Sequence, residues 1–251
     1  MEVSMQKISV ITVVFNGAQE LQATIDSVVA QNYPHIEYVV IDGGSNDGTV
    51  ALIQNNLNVI DKWTSERDKG IYDAMNKGVA LASGDFVIFM NAGDRFYSHD
   101  AISQCIAGVG NEDVIYGDHW VLGSRRNDGR HIAKPIEQLK YGMVCSHQSM
   151  FFRRVLLIAQ PFSLQYGTAG DYECICRLYR HGAKFKYSKD VIVSYYSAGG
   201  VSDIKREQSV KNSYLAVTDN LAPNWNVKLF FFKELVKAKL VGIYVAYFIE
   251  K

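Results

Sequence analysis

Ile8 to Phe15 (ISVITVVF) is almost unbroken apolar sequence rich in β-branched residues, the pattern of a strand buried on both faces. Asn16 and Gly17 interrupt it, and Leu21, Ile25, Val28 and Val29 then recur at helical spacing. Pro34 ends that helix, and Ile36 to Ile41 (IEYVVI) predicts a second buried strand. After the polar loop DGGSNDGT, a helix is expected over Thr49 to Leu57, another through Ala74 to Ala82, and a third strand over Phe86 to Met90. Strand alternating with helix at this spacing predicts an α/β fold with a parallel sheet and right-handed crossovers. Beyond Asp94 the pattern becomes mixed. Short strands are expected at Val114 to Tyr116, His119 to Leu122, Cys145 to Phe152 and Val191 to Tyr196, with a helix over Asp171 to His181.

No repeat, low-complexity run or proline-rich linker divides the chain, so one domain is expected over 1–220. It would comprise a nucleotide-binding half (1–95) and a second half (96–220), followed by a tail (221–251). The tail interleaves Lys228, Lys233, Lys237 and Lys239 with Phe230, Phe231, Phe232, Leu235 and Val236, then runs apolar from Leu240 to Ile249. That run is too short to cross a bilayer. The lysine and aromatic crowding favours lying on an anionic membrane surface over packing on the domain's own core.

The formal net charge is zero, which gives no general attraction for nucleic acid. Cys105, Cys145, Cys174 and Cys176 form no paired framework, and reduced thiols in the cytosol are expected. The amino terminus has no basic segment or cleavage site of a signal peptide. A cytoplasmic location follows as the expectation.

Four polar clusters sit where strands and helices should meet. Asp42 follows the second strand, placed to accept hydrogen bonds from a base or ribose edge; Asp47 and Thr49, further along, are better read as a helix cap. Ser65 to Gly78 (SERDKGIYDAMNKG) crowds charges around two glycines that permit close backbone approach. Asn91 and Asp94 end the Phe86 strand, where a carboxylate could hold a hard cation or cap a helix. Asp171, in Gly170-Asp171-Tyr172-Glu173, could cap its helix or serve as a general base.

Taken together, ITVVFNG, VVIDGGSNDGT, SERDKGIYDAMNKG, FMNAGD, SHQSMFF, GDYECICRLYRHG and AGGVS resemble, in that order, family 2 glycosyltransferases of the GT-A fold. The resemblance spans about Ile8 to Ser202 and is nearest to the colanic-acid branch of bacterial exopolysaccharide synthesis. It implies a Rossmann-like, mostly parallel sheet flanked by helices. It also implies an inverting transfer from a nucleotide sugar, with a UDP-sugar foremost, to a glycan or lipid-linked acceptor at the inner face of the plasma membrane. By the same resemblance, Thr12, Phe15, Asn16 and Asp42 would line the nucleoside pocket. Glu66, Asp68, Asn76 and Asn91 would bound the donor. Asp94 would hold Mg²⁺ or Mn²⁺, Asp171 would be the base, and His147 and Gln148 would contact acceptor or sugar. Two positions depart from the family pattern. Gly43 replaces the second acid of the first loop, and Gly93 replaces the first acid of the metal motif.

Overall fold

The computed structural model describes residues 5–123, 128–197 and 205–248, with side chains through Leu240 except Ser197. The apolar runs become strands β1 (Ile8–Val14) and β2 (Ile36–Asp42), separated by helix α1 (Ala18–Val29). Helix α2 (Thr49–Asn55), strand β3 (Lys62–Ser65), helix α3 (Ile71–Leu81) and strand β4 (Phe86–Phe89) follow. The remainder comprises β5 (Arg95–Phe96), α4 (Ala101–Cys105), β6 (Val114–Leu122), β7 (Gly129–His131), β8 (Met150–Arg153), α5 (Arg154–Ala159), α6 (Gly170–Arg180) and β9 (Phe185–Ser197). Two helices, α7 (Arg206–Leu221) and α8 (Trp225–Phe248), complete the order.

One sheet runs β3-β2-β1-β4-β8-β6-β9-β5, with β7 pairing with β6. The first four strands are parallel, β8 is antiparallel to both β4 and β6, and β9 is parallel to β6. This topology sends the carboxyl ends of β1, β2, β3, β4, β6 and β9 to the same edge as the amino end of β8. Residues far apart in sequence are thereby gathered at that edge. Two apolar layers cover the sheet: Leu21, Ile25 and Val28 of α1 pack in one, and Met75 and Val79 of α3 in the other. Gly78 lets α3 lie close, because a Cβ there would stand 2.5 Å from Ile11 Cγ2.

Several elements differ from their sequence expectation. β3 was hidden by its polar, four-residue length. Val114 to Leu122 is one nine-residue strand rather than two, irregular around Asp118. His147–Ser149 is one turn of 3-10 helix, so only Met150–Arg153 forms β8. β9 begins at Phe185, six residues before the expected start, and α7 had no forecast. All four cysteines are free and buried.

Glu37 ties the amino halves of β1 and β2 to the end of α3. It is 3% exposed and accepts from Ser9 Oγ (2.6 Å), Ser83 N (2.7 Å) and Ser83 Oγ (2.6 Å), with Lys62 at 2.9 Å. Burial opposes its charge, but hydrogen bonds from Ser83, Ser9 and Lys62 outweigh that and hold its pKa far below the ordinary 4.5. Its contribution to stability is therefore complete above about pH 4.5 and is lost only as pH falls through the depressed folded value. Glu37→Ala leaves Ser9 Oγ, Ser83 N, Ser83 Oγ and Lys62 Nζ without their acceptor, and the expected loss is about 3 kcal/mol in urea unfolding at pH 7. A loss below about 0.5 kcal/mol would show that water satisfies those donors instead.

Candidate active site

The loop after β2 is built by its own acids. Asp42 is fully buried and accepts from Gly44 N (3.1 Å), Ser45 N (3.0 Å) and Ser65 Oγ (2.6 Å), and also from Ser45 Oγ. Its carboxylate shapes the loop rather than opening onto it. Asp47 accepts from Thr49 N, Thr49 Oγ1 and Ala18 N, joining the starts of α1 and α2. Asn16 adopts φ 50°, donates its N–H to Ser45 Oγ at 2.7 Å and accepts from Asn46 N at 3.0 Å.

Gly43 now has a physical explanation. A Cβ there would fall 2.5 Å from Asp68 Oδ2 and 3.3 Å from Phe15 Cδ2. The glycine makes room for an acid from the next loop, so Asp68 brings a carboxylate to the place vacated by the missing second acid. Phe15 leaves 65% of its surface exposed beside this point, an open ring face suited to a planar partner. Glu66 stands outward and pairs with Lys77 at 2.8 Å, and Lys77 also donates to the Arg67 carbonyl at 3.0 Å.

Two expected donor contacts are turned elsewhere. Thr12 has no exposed surface; its hydroxyl donates to the Met90 carbonyl (2.7 Å) and lies 3.0 Å from Tyr38 Oη. Both ends of the Asn76 amide are engaged by Phe162, accepting from its N–H and donating to its carbonyl, each at 2.9 Å. Both residues brace the frame, because a polar side chain among apolar elements bonds to the nearest unpaired backbone group.

Asn91, Asp94, His147, Gln148 and Asp171 do come together. Gln148, 4% exposed, donates to Asp94 Oδ2 at 2.8 Å. His147 Nδ1 lies 3.1 Å from Asp171 Oδ2, and His147 Nε2 lies 3.2 Å from Asn91 Nδ2. Asp171 Oδ1 accepts from Tyr72 Oη at 3.0 Å and from Tyr172 N at 2.8 Å. Tyr72 belongs to this site although the sequence marks it only as a member of the SERDKGIYDAMNKG cluster, with no role of its own. Its approach depends on Gly170, where a Cβ would meet the Tyr72 ring at 2.7 Å. His119, whose Nδ1 accepts weakly from Ser146 N at 3.5 Å, is a second neighbour without a sequence signal.

The electrostatics separate the two acids. Burial raises the Asp94 pKa to about 6, with Gln148 and His147 only partly opposing it. Burial also disfavours charge on Asp171, but the His147 hydrogen bond and charge outweigh it and hold its pKa below the ordinary 3.8. His147 is displaced the other way: burial lowers its pKa, and the Asp171 contact raises it by more. The side-chain oxygen of Asn91 is buried without a hydrogen-bond partner. As placed, the Asn91 amide donates to an unprotonated Nε2 of His147, whose Nδ1 proton faces Asp171, and its oxygen stays free.

No group of three or more His, Cys, Asp or Glu side chains suited to a metal occurs among the described residues. The hard donors on offer are the Asp94 carboxylate and the unpaired Asn91 oxygen. Such a set fits Mg²⁺ or Mn²⁺ held mainly by a diphosphate and water. The AGGVS segment lies outside the described residues.

A mostly parallel curled sheet, flanked by helices and carrying acids at its carboxyl edge, defines a GT-A glycosyltransferase fold. The glycosyl transferase family 2 model matches residues 9–183, and the chain belongs to that family. An uncharacterized glycosyltransferase of Mycobacterium tuberculosis is 37% identical over 178 residues, 68% of each chain. Among solved structures, PcManGT of Pyrobaculum calidifontis, a mannosyltransferase in complex with GDP-Man and Mn²⁺, matches with TM-score 0.70 at 15% identity, covering 97% of this chain and 76% of that one. S. aureus TarS 1–349 in complex with UDP-GlcNAc matches with TM-score 0.69 at 16% identity, covering 96% and 73%. At these identities the two structures speak to the fold.

Proposed function

We propose that this glycosyltransferase moves a sugar from a nucleotide sugar, a UDP-sugar foremost, to a hydroxyl of a glycan or lipid-linked acceptor, with inversion. The setting would be bacterial exopolysaccharide, capsule or O-antigen synthesis at the cytoplasmic face of the plasma membrane. One observation carries the reading: Asp94 and Asp171, from opposite halves of the chain, meet at one sheet edge with pKa values pushed in opposite directions. Paired titratable groups driven apart in this way mark a division of chemical labour.

Asp171, held ionised by His147, takes the proton of the acceptor hydroxyl. The hydroxyl oxygen bonds to the anomeric carbon as the bond from that carbon to the diphosphate breaks on the opposite face. Tyr72 and the Tyr172 N–H fix the carboxylate's direction. Mg²⁺ or Mn²⁺, held by Asp94 with the Asn91 oxygen, would offset charge on the departing diphosphate. The open ring of Phe15 and the Asp68 carboxylate, with Asn16 and the Asp42-built loop, offer the nucleoside a face and a polar edge.

A nucleotidylyltransferase would want basic groups for a triphosphate near β1, and no Lys or Arg occurs from Ile8 to Val29. A non-catalytic scaffold leaves the separated acid pair without a purpose. The three readings are resolved by thermal melting with UDP, GDP and their sugars, with and without Mn²⁺, followed by acceptor-dependent release of nucleoside diphosphate. A metal-dependent rise of several degrees with one diphosphate is expected, since a ligand of the folded state stabilises it by mass action. Failure of every nucleotide to shift the midpoint or be turned over would refute the proposal.

A further inference from the structure

Helix α8 has two apolar sides. Val227, Phe231 and Ala238 are buried on the side facing the protein, where Phe231 packs on Tyr214 of α7 at 5.4 Å and Phe230 on Tyr141 at 5.5 Å. On the opposite side Trp225, Leu229, Phe232, Val236 and Leu240 recur at steps of four, three, four and four and line up along the helix. That stripe faces solvent: Trp225 is 76% exposed, Phe232 64% and Leu240 62%. A continuous apolar row of this kind marks an interaction surface.

The charges around it say what covers it. By helical geometry Lys228 and Lys239 flank one side of the stripe, and Lys233 and Lys237 flank the other. Lys237 pairs with Glu234 at 2.6 Å, whereas Lys228 and Lys233 make no ion pair among the described residues. Between α7 and α8 on the Lys228 side lies an apolar groove of about 590 Å³, lined by Val210, Tyr214, Phe231 and Leu235, with Lys211 and Lys228 among its residues. Lysine stems can run along apolar surface while their ammonium groups reach outward to phosphates. A second copy of the chain docked stripe to stripe would bring lysine rows against lysine rows, with Glu234 turned toward the protein. No described helix is long and apolar enough to cross a membrane.

We infer that α8 lies in the plane of an anionic lipid leaflet, the Trp225-to-Leu240 stripe entering the acyl boundary and the four flanking lysines meeting lipid phosphates. The groove beside it gives part of one lipid chain a place to insert. This docking does not depend on the transfer chemistry, and its test does not use activity.

The full chain is mixed with vesicles of phosphatidylcholine alone or with added phosphatidylglycerol, then floated, and Trp225 emission is followed with a Trp225→Phe control. Binding to anionic vesicles with a blue shift of Trp225 is expected, weakened by high salt. Each lysine near such a surface contributes roughly fivefold to partitioning, so Lys228→Glu with Lys233→Glu should reduce binding about 25-fold or more. Phe232→Ser with Val236→Ser should reduce it at least about tenfold while melting stays unchanged, because both side chains are exposed. No binding to anionic vesicles, or binding indifferent to both double variants, overturns the inference. So does a vesicle-free dimer that the serine variant dissociates, since the stripe would then join two copies.

Discussion

Asp171→Asn should lower turnover about a thousand-fold while donor affinity stays within about twofold, because loss of a positioned base typically costs a factor of 10² to 10⁴. Asparagine can keep the contacts from Tyr72 Oη and Tyr172 N, so the site should hold its shape. What it loses is the charge that receives the proton. The same substitution removes the main support of the imidazolium and leaves burial to disfavour its charge, so the raised pKa of His147 should fall, visible by NMR. Should the imidazole be the base instead, with Asp171 merely orienting it, His147→Gln would be the more damaged variant. Turnover in Asp171→Asn within about tenfold of the parent would remove Asp171 from the role.

Asp94→Asn should weaken metal-dependent donor binding about a hundred-fold and, in the empty protein, raise stability above pH 6. The sign follows from the raised folded pKa. Buried Asp94 holds its proton to about pH 6 against an ordinary 3.8, so the folded state is favoured below pH 4. That advantage is lost as pH rises from about 4 to about 6. The difference of about two pH units is worth roughly 3 kcal/mol at the upper limit. Asparagine carries no such burden. The variant should melt several degrees above the parent at pH 8 and together with it near pH 4.5. Parallel melting curves across that range would show that Asp94 is ionised without strain.

The legible parts of the chain were those in which one physical demand acts alone. β1, β2 and β4 are buried on both faces, and a nearly continuous apolar run is all that such strands need. β3 lies at the sheet edge, where Lys62 and Ser65 are tolerated and no pattern remains to read. Gly117 and Asp118 looked like the break between two strands. The glycine instead allows close approach to the Val191 carbonyl, where a Cβ would stand at 2.7 Å. Asp118 is fully buried because Arg130 Nε, Ala133 N and Tyr187 Oη all donate to it. Partners supplied from elsewhere in the chain cannot be seen locally.

The site divides in the same way. Asn91, Asp94 and Asp171 were visible as polar groups at the ends of apolar elements, where the topology gathers them, whereas His147 and Gln148 sit inside an expected strand and were marked only by the family resemblance. Tyr72 carried no role of its own, since an aromatic in the first turn of a helix reads as core until Gly170 is seen to admit it. Thr12 and Asn76 carried the opposite ambiguity. A hydroxyl or amide in an apolar setting can serve a ligand or a nearby backbone group, and here the backbone holds both.

The seat of α8 has one further consequence. Phe230 rests on Tyr141; the neighbouring Gly142 N donates to Tyr172 Oη, and Tyr172 directly follows Asp171. A short path of contacts therefore joins the helix that would rest on lipid to the carboxylate that would take the proton. On a leaflet, the height of Asp171 above the headgroups would become a constant of the fold rather than an accident of each encounter. Acceptors would then be sorted by stature before they are sorted by chemistry: too short a headgroup would never reach the carboxylate, and too long a one would have to fold back to meet it.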